Sequence, residues 1–245
     1  MKLNVAVKYR LYDNKKAILI FYIVIVSVLA FMFLFSALNR GNHKFNGSIQ
    51  GLELASAIFL FVVGLNSFKE IFRMFMQNGI SRKTMFLSYV ASTAAICIIM
   101  AFIDSILALI SRSITAVNGG IYSRGVIEMM YGKQVNSIGT FLLSIILCFF
   151  INIAFTSLGF FITTLYYRMN KTQKITVSIG VPALLFVILP IADTLLLNGI
   201  FFAGLAGILT ASFREPFMCM LSCFVLSGVL MALSWMLVRK AAVKD

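Results

Sequence analysis

The sequence predicts an all-α polytopic membrane protein, and three observations carry that prediction. Hydrophobic residues make up 61% of the 245 residues and charged ones only 12%, where a soluble domain carries roughly a quarter charged. Apolar stretches of about the length needed to cross the hydrocarbon of a bilayer recur along the chain. The net charge of +13 sits in short clusters between those stretches, which is a topology signal and not a stripe for binding nucleic acid.

The first element is the basic stretch MKLNVAVKYRLYDNKK, residues 1–16. Leu3, Val5, Val7, Tyr9 and Leu11 alternate as in a strand, but an unpaired strand at a membrane surface leaves its backbone unsatisfied. An amphipathic helix on the inner leaflet, with its cations toward lipid phosphate, is the reading that satisfies both. Spans are expected at 17–38, 49–68, 85–110, 137–166, 176–197 and 216–238. The first apolar run is too long for a signal-peptide core and lacks a small-residue cleavage site, so no cleavable leader is expected. The fourth is long enough to tilt or to project beyond the bilayer. Pro182 and Pro190 are positioned to bend the fifth, and Pro216 opens the sixth, where a missing N–H costs little.

Basic residues orient the spans. With the N-terminus inside, the cytoplasmic segments hold Lys2, Lys8, Arg10, Lys15 and Lys16; Lys69, Arg73, Arg82 and Lys83; Arg168, Lys171 and Lys174; and Arg239, Lys240 and Lys244. Only Arg40, Lys44, Arg112, Arg124, Lys133 and Arg214 remain outside, so both termini are expected in the cytoplasm. The apolar segment 199–213, GIFFAGLAGILTASF, lies between Asn198 and the break at Arg214-Glu215-Pro216. A crossing there would put the basic tail outside. It is therefore expected to be re-entrant or interfacial, with Gly199, Gly204 and Gly207 permitting tight turns and close packing.

Several chemistries are missing from the residues. His43 is the one histidine and falls in a polar external segment, so multi-histidine metal centres and most Ser-His arrangements are excluded unless a partner contributes. Gly132-Lys133 is no phosphate loop, because Ile127 stands where its first glycine belongs. The matches to a glycosylation acceptor at Asn46-Gly47-Ser48 and Asn170-Lys171-Thr172 fall on opposite sides of the membrane. Cys97, Cys148, Cys219 and Cys223 lie inside apolar runs and read as small membrane-core residues. No metal site, catalytic residue or cofactor is expected in this chain.

Three acids lie in or near the spans: Glu53, Asp104 and Asp193. A carboxylate at the centre of a membrane helix costs about 2.5–3.5 kcal/mol on insertion scales. All three fall toward the external side. One expectation is therefore boundary charges reaching for water, and the sharper one is an acidic external vestibule that favours cationic substrates.

The segment FKEIFRMFMQNGISRKT, residues 68–84, is polar between two apolar spans. Phe68, Ile71, Phe72 and Phe75 recur at three- and four-residue spacing while Lys69, Glu70, Arg73 and Gln77 take other angles, so a short helix lies along the inner surface. Asn78-Gly79 ends it in a left-handed conformation, and Ser81 caps the third span with Arg82 and Lys83 in its first turn. Positive charge there opposes the helix dipole by about 0.3–1 kcal/mol per charge, which anionic lipid or an acidic protein surface would offset.

The run Asn78-Gly79-Ile80-Ser81-Arg82-Lys83-Thr84, with the order of elements along the whole chain, resembles the first cytoplasmic loop and layout of ABC-2-type transporter permeases. The resemblance implies a permease in the cytoplasmic membrane of a bacterium, paired into a dimer, homodimer more than heterodimer, and docked on two copies of a separate ABC ATPase subunit that binds ATP and Mg. It implies ATPase coupling through Glu70, Arg73, Met74, Phe75, Asn78, Gly79, Ile80, Ser81, Arg82 and Lys83. It places a substrate path or dimer interface on the second and fifth spans, at Phe59, Val62, Val63 and Asn66 and at Leu184, Phe186 and Val187. Small permeases of this layout resemble exporters of amphipathic peptides such as phenol-soluble modulins and lantibiotics, and the 24 Phe and 13 Met suit a path that adapts to varied apolar faces. Drugs, lipid or glycan are the alternative cargoes. A membrane enzyme of lipid metabolism and an ion-coupled transporter are the alternatives of another class; the first lacks a paired-carboxylate or histidine signature, and Asp104 is the one residue that hints at the second.

Overall fold

A computed structural model describes residues 3–38, 47–118, 121–135, 137–196 and 200–241. His43, Asn46, Asn198 and Gly199, together with Lys2, Arg40, Lys44 and Lys244, lie outside the described residues. The elements are α1 (Leu3–Leu38), β1 (Gly47–Gln50), α2 (Leu52–Asn66), α3 (Lys69–Gln77), α4 (Arg82–Asn118), β2 (Ile121–Arg124), α5 (Val126–Tyr131), α6 (Ile138–Arg168), α7 (Lys171–Ala183), a π-helical segment Leu184–Ile188, α8 (Leu189–Leu196), α9 (Ile200–Phe213) and α10 (Pro216–Arg239). The chain is an all-α membrane protein. Among the described residues, four helices are each long and apolar enough to cross a membrane, α1, α4, α6 and α10, and the bent pair α2–α3 makes a fifth if counted as one span.

The N-terminal segment departs from expectation. Residues 3–16 are not a separate surface helix, because α1 runs through them to Leu38 as one helix of 36 residues. No glycine or proline falls between residues 3 and 38 to break it. At 1.5 Å per residue it is about 54 Å long, well beyond the ~30 Å hydrocarbon. Its first third therefore projects past the membrane core, and Ala6 and Arg10 on that projection are buried against the bundle.

The sequence reading also missed a parallel strand pair at the end of α2 away from α3. β1 and β2 run in register from Gly47 opposite Ile121 to Gln50 opposite Arg124, and the Gly51 N–H extends the ladder by donating to the Arg124 carbonyl at 3.0 Å. Gly51 then takes φ 60°, a left-handed conformation that glycine adopts without steric cost, and α2 begins. Strands of four residues offer too few positions for an alternation to be read.

The bundle is organised around α2 and α6. Gly64 and Gly159 meet at their crossing, where a Cβ built on Gly64 would lie 2.5 Å from the Thr156 carbonyl oxygen. Small residues at such a crossing let two helix backbones touch, which is the main source of association between helices in lipid. α4 packs on α6 by stacking Tyr89 on Phe160 at 3.8 Å, and α10 closes the other side of α6. The start of α6 is fixed by reciprocal capping between Ser137 and Thr140.

The predicted fifth span is an unbroken helical run from Lys171 to Leu196 with two irregularities. Pro182 lies inside α7, and the backbone after it relaxes into the π-helical turn before Pro190, the kind of local change that accommodates a missing N–H. No residue of α7 is buried. The segment expected to be re-entrant or interfacial is the helix α9, which packs on α8 and α10.

Candidate functional site

The polar segment between α2 and α4 forms in detail as its sequence suggests. α2 and α3 meet at an angle of 41°. α3 buries Ile71, Phe72 and Phe75 and turns Lys69, Glu70 and Gln77 to the exterior. At its end the Gly79 N–H donates to Met76 O at 3.1 Å and the Ile80 N–H to Phe75 O at 2.9 Å, with Gly79 at φ 69°. These two bonds make a Schellman motif, which satisfies carbonyls the helix would otherwise leave open. Ser81 then accepts from the Thr84 N–H at 3.2 Å and caps α4.

The ten expected coupling residues separate into two groups. Phe75 and Ile80 are buried in the core, so they anchor the segment and cannot touch a docked chain. Glu70, Asn78, Gly79, Ser81 and Lys83 are exposed, and Arg73, Met74 and Arg82 are half-buried. Arg82 also has a structural role the sequence did not disclose: it donates to the Arg239 carbonyl at 2.6 Å. Its charge opposes the dipole of α4 but sits at the carbonyl end of α10, where a cation is favourable.

Beneath α3 lies Arg10, 2% exposed, which sequence reasoning counted only as one more topology charge. Its guanidinium sits 5.5 Å from the Phe75 ring and 5.3 Å from the Tyr89 ring, and Nη1 donates to the Ser67 carbonyl at 3.4 Å. Arginine stays charged in proteins, and two aromatic faces compensate a desolvated cation by about 2 kcal/mol or more. Nε and Nη2 have no hydrogen-bond partner among the described residues. One side chain of α1 thus reaches α3, α4 and the end of α2. An arginine among lysines was the available signal, but only the tertiary contacts separate it from Lys8, Lys15 and Lys16.

The second polar region lies toward the other end of the bundle from α3. Asp104 Oδ1 accepts from the Tyr22 hydroxyl at 2.8 Å and from the Ser56 hydroxyl at 2.9 Å, joining α1, α2 and α4. Glu53 Oε2 accepts from the Val126 N–H at 3.1 Å and so caps α5. Gly125 makes room for it, since a Cβ there would lie 2.9 Å from Oε1. Asp104 and Glu53 are within Coulombic reach of each other. Asp104 Oδ2, Glu53 Oε1, the Ser105 hydroxyl and both amide atoms of Asn152 are buried without a hydrogen-bond partner among the described residues. Asp193 is separate, with its two carboxylate oxygens accepting from the Phe201 and Phe202 N–H groups at 3.0 Å each.

The three acids of the expected vestibule are enclosed by protein in this structure. Glu53, Asp104 and Asp193 are 3%, 2% and 3% exposed, so none presents a carboxylate to passing solute. Two of them neutralise the positive N-terminal ends of short helices, and the third ties three helices together. Among the described residues, no group of three or more His, Cys, Asp and Glu side chains is placed to hold a metal ion.

The residues expected along a path divide by helix. On α2, Phe59 stacks on Phe21 of α1 at 4.4 Å, Val63 is half-buried, and Val62 and Asn66 are exposed. Leu184 and Val187 are exposed on the π-helical segment, while the side chain of Phe186 lies outside the described residues. Among the described residues, α2 and the π-helical segment do not pack extensively on each other. Comparison of the chain with family models, with curated proteins and with solved structures returns no match.

Proposed function

We propose that the chain is the permease subunit of an ATP-binding-cassette exporter of the ABC-2 type, with six crossings and both termini in the bacterial cytoplasm. It works as a homodimer with two copies of a separate ATPase, which bind ATP and Mg, and carries amphipathic or toxin peptides outward. The observation that supports this reading is α3: a short surface helix with a polar outer face, rooted in the bundle by Phe72 and Phe75 and closed by a glycine stop. A docked ATPase would push on Lys69, Glu70 and Gln77. Phe75 would pass the displacement to Arg10 and through it to α1 and α4. The exposed faces of Val62 and Asn66 on α2 and of Leu184 and Val187 are where a second copy would complete a path.

The test is copurification of the full-length chain from its native membrane. An ATPase subunit that travels with it, and whose hydrolysis rises with one class of amphipathic peptide, is the expected result. A chain that binds no ATPase overturns the proposal. A second reading, an ion-coupled transporter, is favoured by Asp104, a buried carboxyl with one unpartnered oxygen. Transport in vesicles driven by an ion gradient without ATP would select it.

A further inference from the structure

A groove of about 890 Å3 runs between α1 and α4, within the roughly 300–1,000 Å3 of small-molecule sites. Its walls are apolar: Ile18, Leu19 and Ile23 from α1 face Ile96, Ile99 and Ile103 from α4. Its cytoplasmic mouth is different, for Lys8, Tyr12 and Lys15 line it and no acidic side chain does. We propose that this groove binds one anionic phospholipid of the cytoplasmic leaflet, its phosphate held between Lys8, Tyr12 and Lys15 and an acyl chain laid along the isoleucine walls. The site is independent of the transport reading.

Spacing along α1 supports this occupant. Lys8 and Lys15 are seven residues apart, so they share one helix face at a separation of about 10 Å, enough to bracket a headgroup. From Lys15 to Ser27, the last α1 residue that lines the groove, the helix rises about 18 Å, close to the ~15 Å of one leaflet's hydrocarbon. Tyr12, 71% exposed, lies between the two lysines along the same helix face and offers a hydroxyl donor. Polybasic sites next to a span attract anionic lipid by about 1 kcal/mol per cation. A second copy of this chain is a poorer fit. The chain holds eight acidic residues, and only Asp13, Glu70 and Asp245 belong to cytoplasmic segments in the expected topology, so a copy seated here offers the two lysines few matching charges.

The experiment is a lipid titration of the full-length, delipidated chain followed by native mass spectrometry, with phosphatidylglycerol, phosphatidylcholine and soluble glycerol 3-phosphate as probes. One phosphatidylglycerol per chain is expected to bind ahead of phosphatidylcholine, and glycerol 3-phosphate is expected not to compete. The double variant Lys8→Gln/Lys15→Gln should weaken phosphatidylglycerol by roughly 30-fold, whereas Lys16→Gln/Lys174→Gln, which removes the same charge from outside the groove, should not. Ile103→Trp, which fills the groove and leaves the lysines, should also weaken it. Equal binding of the two lipids, competition by glycerol 3-phosphate, or equal losses in both double variants would overturn the proposal. So would a disulfide between two copies carrying Ile23→Cys, because the groove would then be covered by protein.

Discussion

Replacing Gly64 by alanine tests the packing on which everything else rests. The added methyl would lie 2.5 Å from the Thr156 carbonyl oxygen, 3.1 Å from the Phe160 nitrogen and 3.2 Å from the Gly159 Cα. All three are backbone atoms, so no side-chain rotation relieves the contact. Ordinary contact begins near 3.4 Å, and α2 and α6 must therefore move apart by about 1 Å at the crossing. A gap of that size forfeits a quarter to a half of each dispersion contact nearby, and overpacking of a tight core costs about 1–3 kcal/mol. Gly228→Ala in α10 is the control, since a Cβ there meets nothing within 4 Å and the exchange favours the helix by up to about 1 kcal/mol. Reversible unfolding in mixed micelles, followed by the fluorescence of Trp235, the one tryptophan, measures both. A Gly64→Ala protein as stable as Gly228→Ala would refute the close crossing. A Gly64→Ala/Gly159→Ala double variant should lose less than the sum of the singles, because either methyl alone already separates the helices.

Other outcomes follow from the two polar regions and the surface helix. Tyr89→Leu should destabilise the chain by more in the presence of Arg10 than in an Arg10→Met background, with a coupling of about 2 kcal/mol in a double-mutant cycle; additive costs would remove the cation–π role. Asp104 and Glu53, buried as they are, should resist a water-soluble carbodiimide in the folded chain while exposed Glu70 reacts, and equal labelling by peptide mass spectrometry would restore an open vestibule. Gly79→Val should cost about 1–2 kcal/mol through its left-handed backbone alone, since no atom crowds the position, while Gly79→Asn should cost less. In the exporter reading the valine variant also loses coupling of hydrolysis to transport, which a side-by-side assay of the two rates would detect.

What was legible in the sequence was whatever a local period or cap encodes. The apolar runs located α6 and α10 within two residues and the start of α4 within three, while α4 runs on to Asn118 past its expected end at 110, and Asn78-Gly79 followed by Ser81 gave the Schellman stop and the restart of α4. Contacts between distant residues were not legible. Nothing in the neighbourhood of Arg82 announces that it binds the end of α10, 157 residues away, and no local pattern announces that the two four-residue strands pair. The acids illustrate the same limit from the other side. Their depth followed from hydropathy, but whether a carboxyl at that depth faces water or a hydroxyl depends on Tyr22 and Ser56, which carry no period at all. The expected break at residue 16 failed for a simpler reason: charge changed there, but no glycine or proline did.

Mechanical continuity is the property that joins these pieces. α2 and α6 are locked by backbone contact at Gly64 and Gly159, and α4 is stacked on α6 through Tyr89 and Phe160, so the centre of the bundle resists distortion. A push on the outer face of α3 must then be relieved where packing is weakest. One such place is the 41° junction at Ser67 and Phe68, and the other is α7 and the π-helical turn after Pro182. There no residue of α7 is buried, and a hydrogen bond between Tyr166 and Ser178 at 2.9 Å ties α7 to α6. A π-helical turn already departs from the i to i−4 ladder, so it changes pitch at lower cost than a regular helix. In the exporter reading, movement that begins at α3 would be directed away from the Gly64 crossing and toward Leu184 and Val187, the apolar side chains that a second copy or lipid would meet.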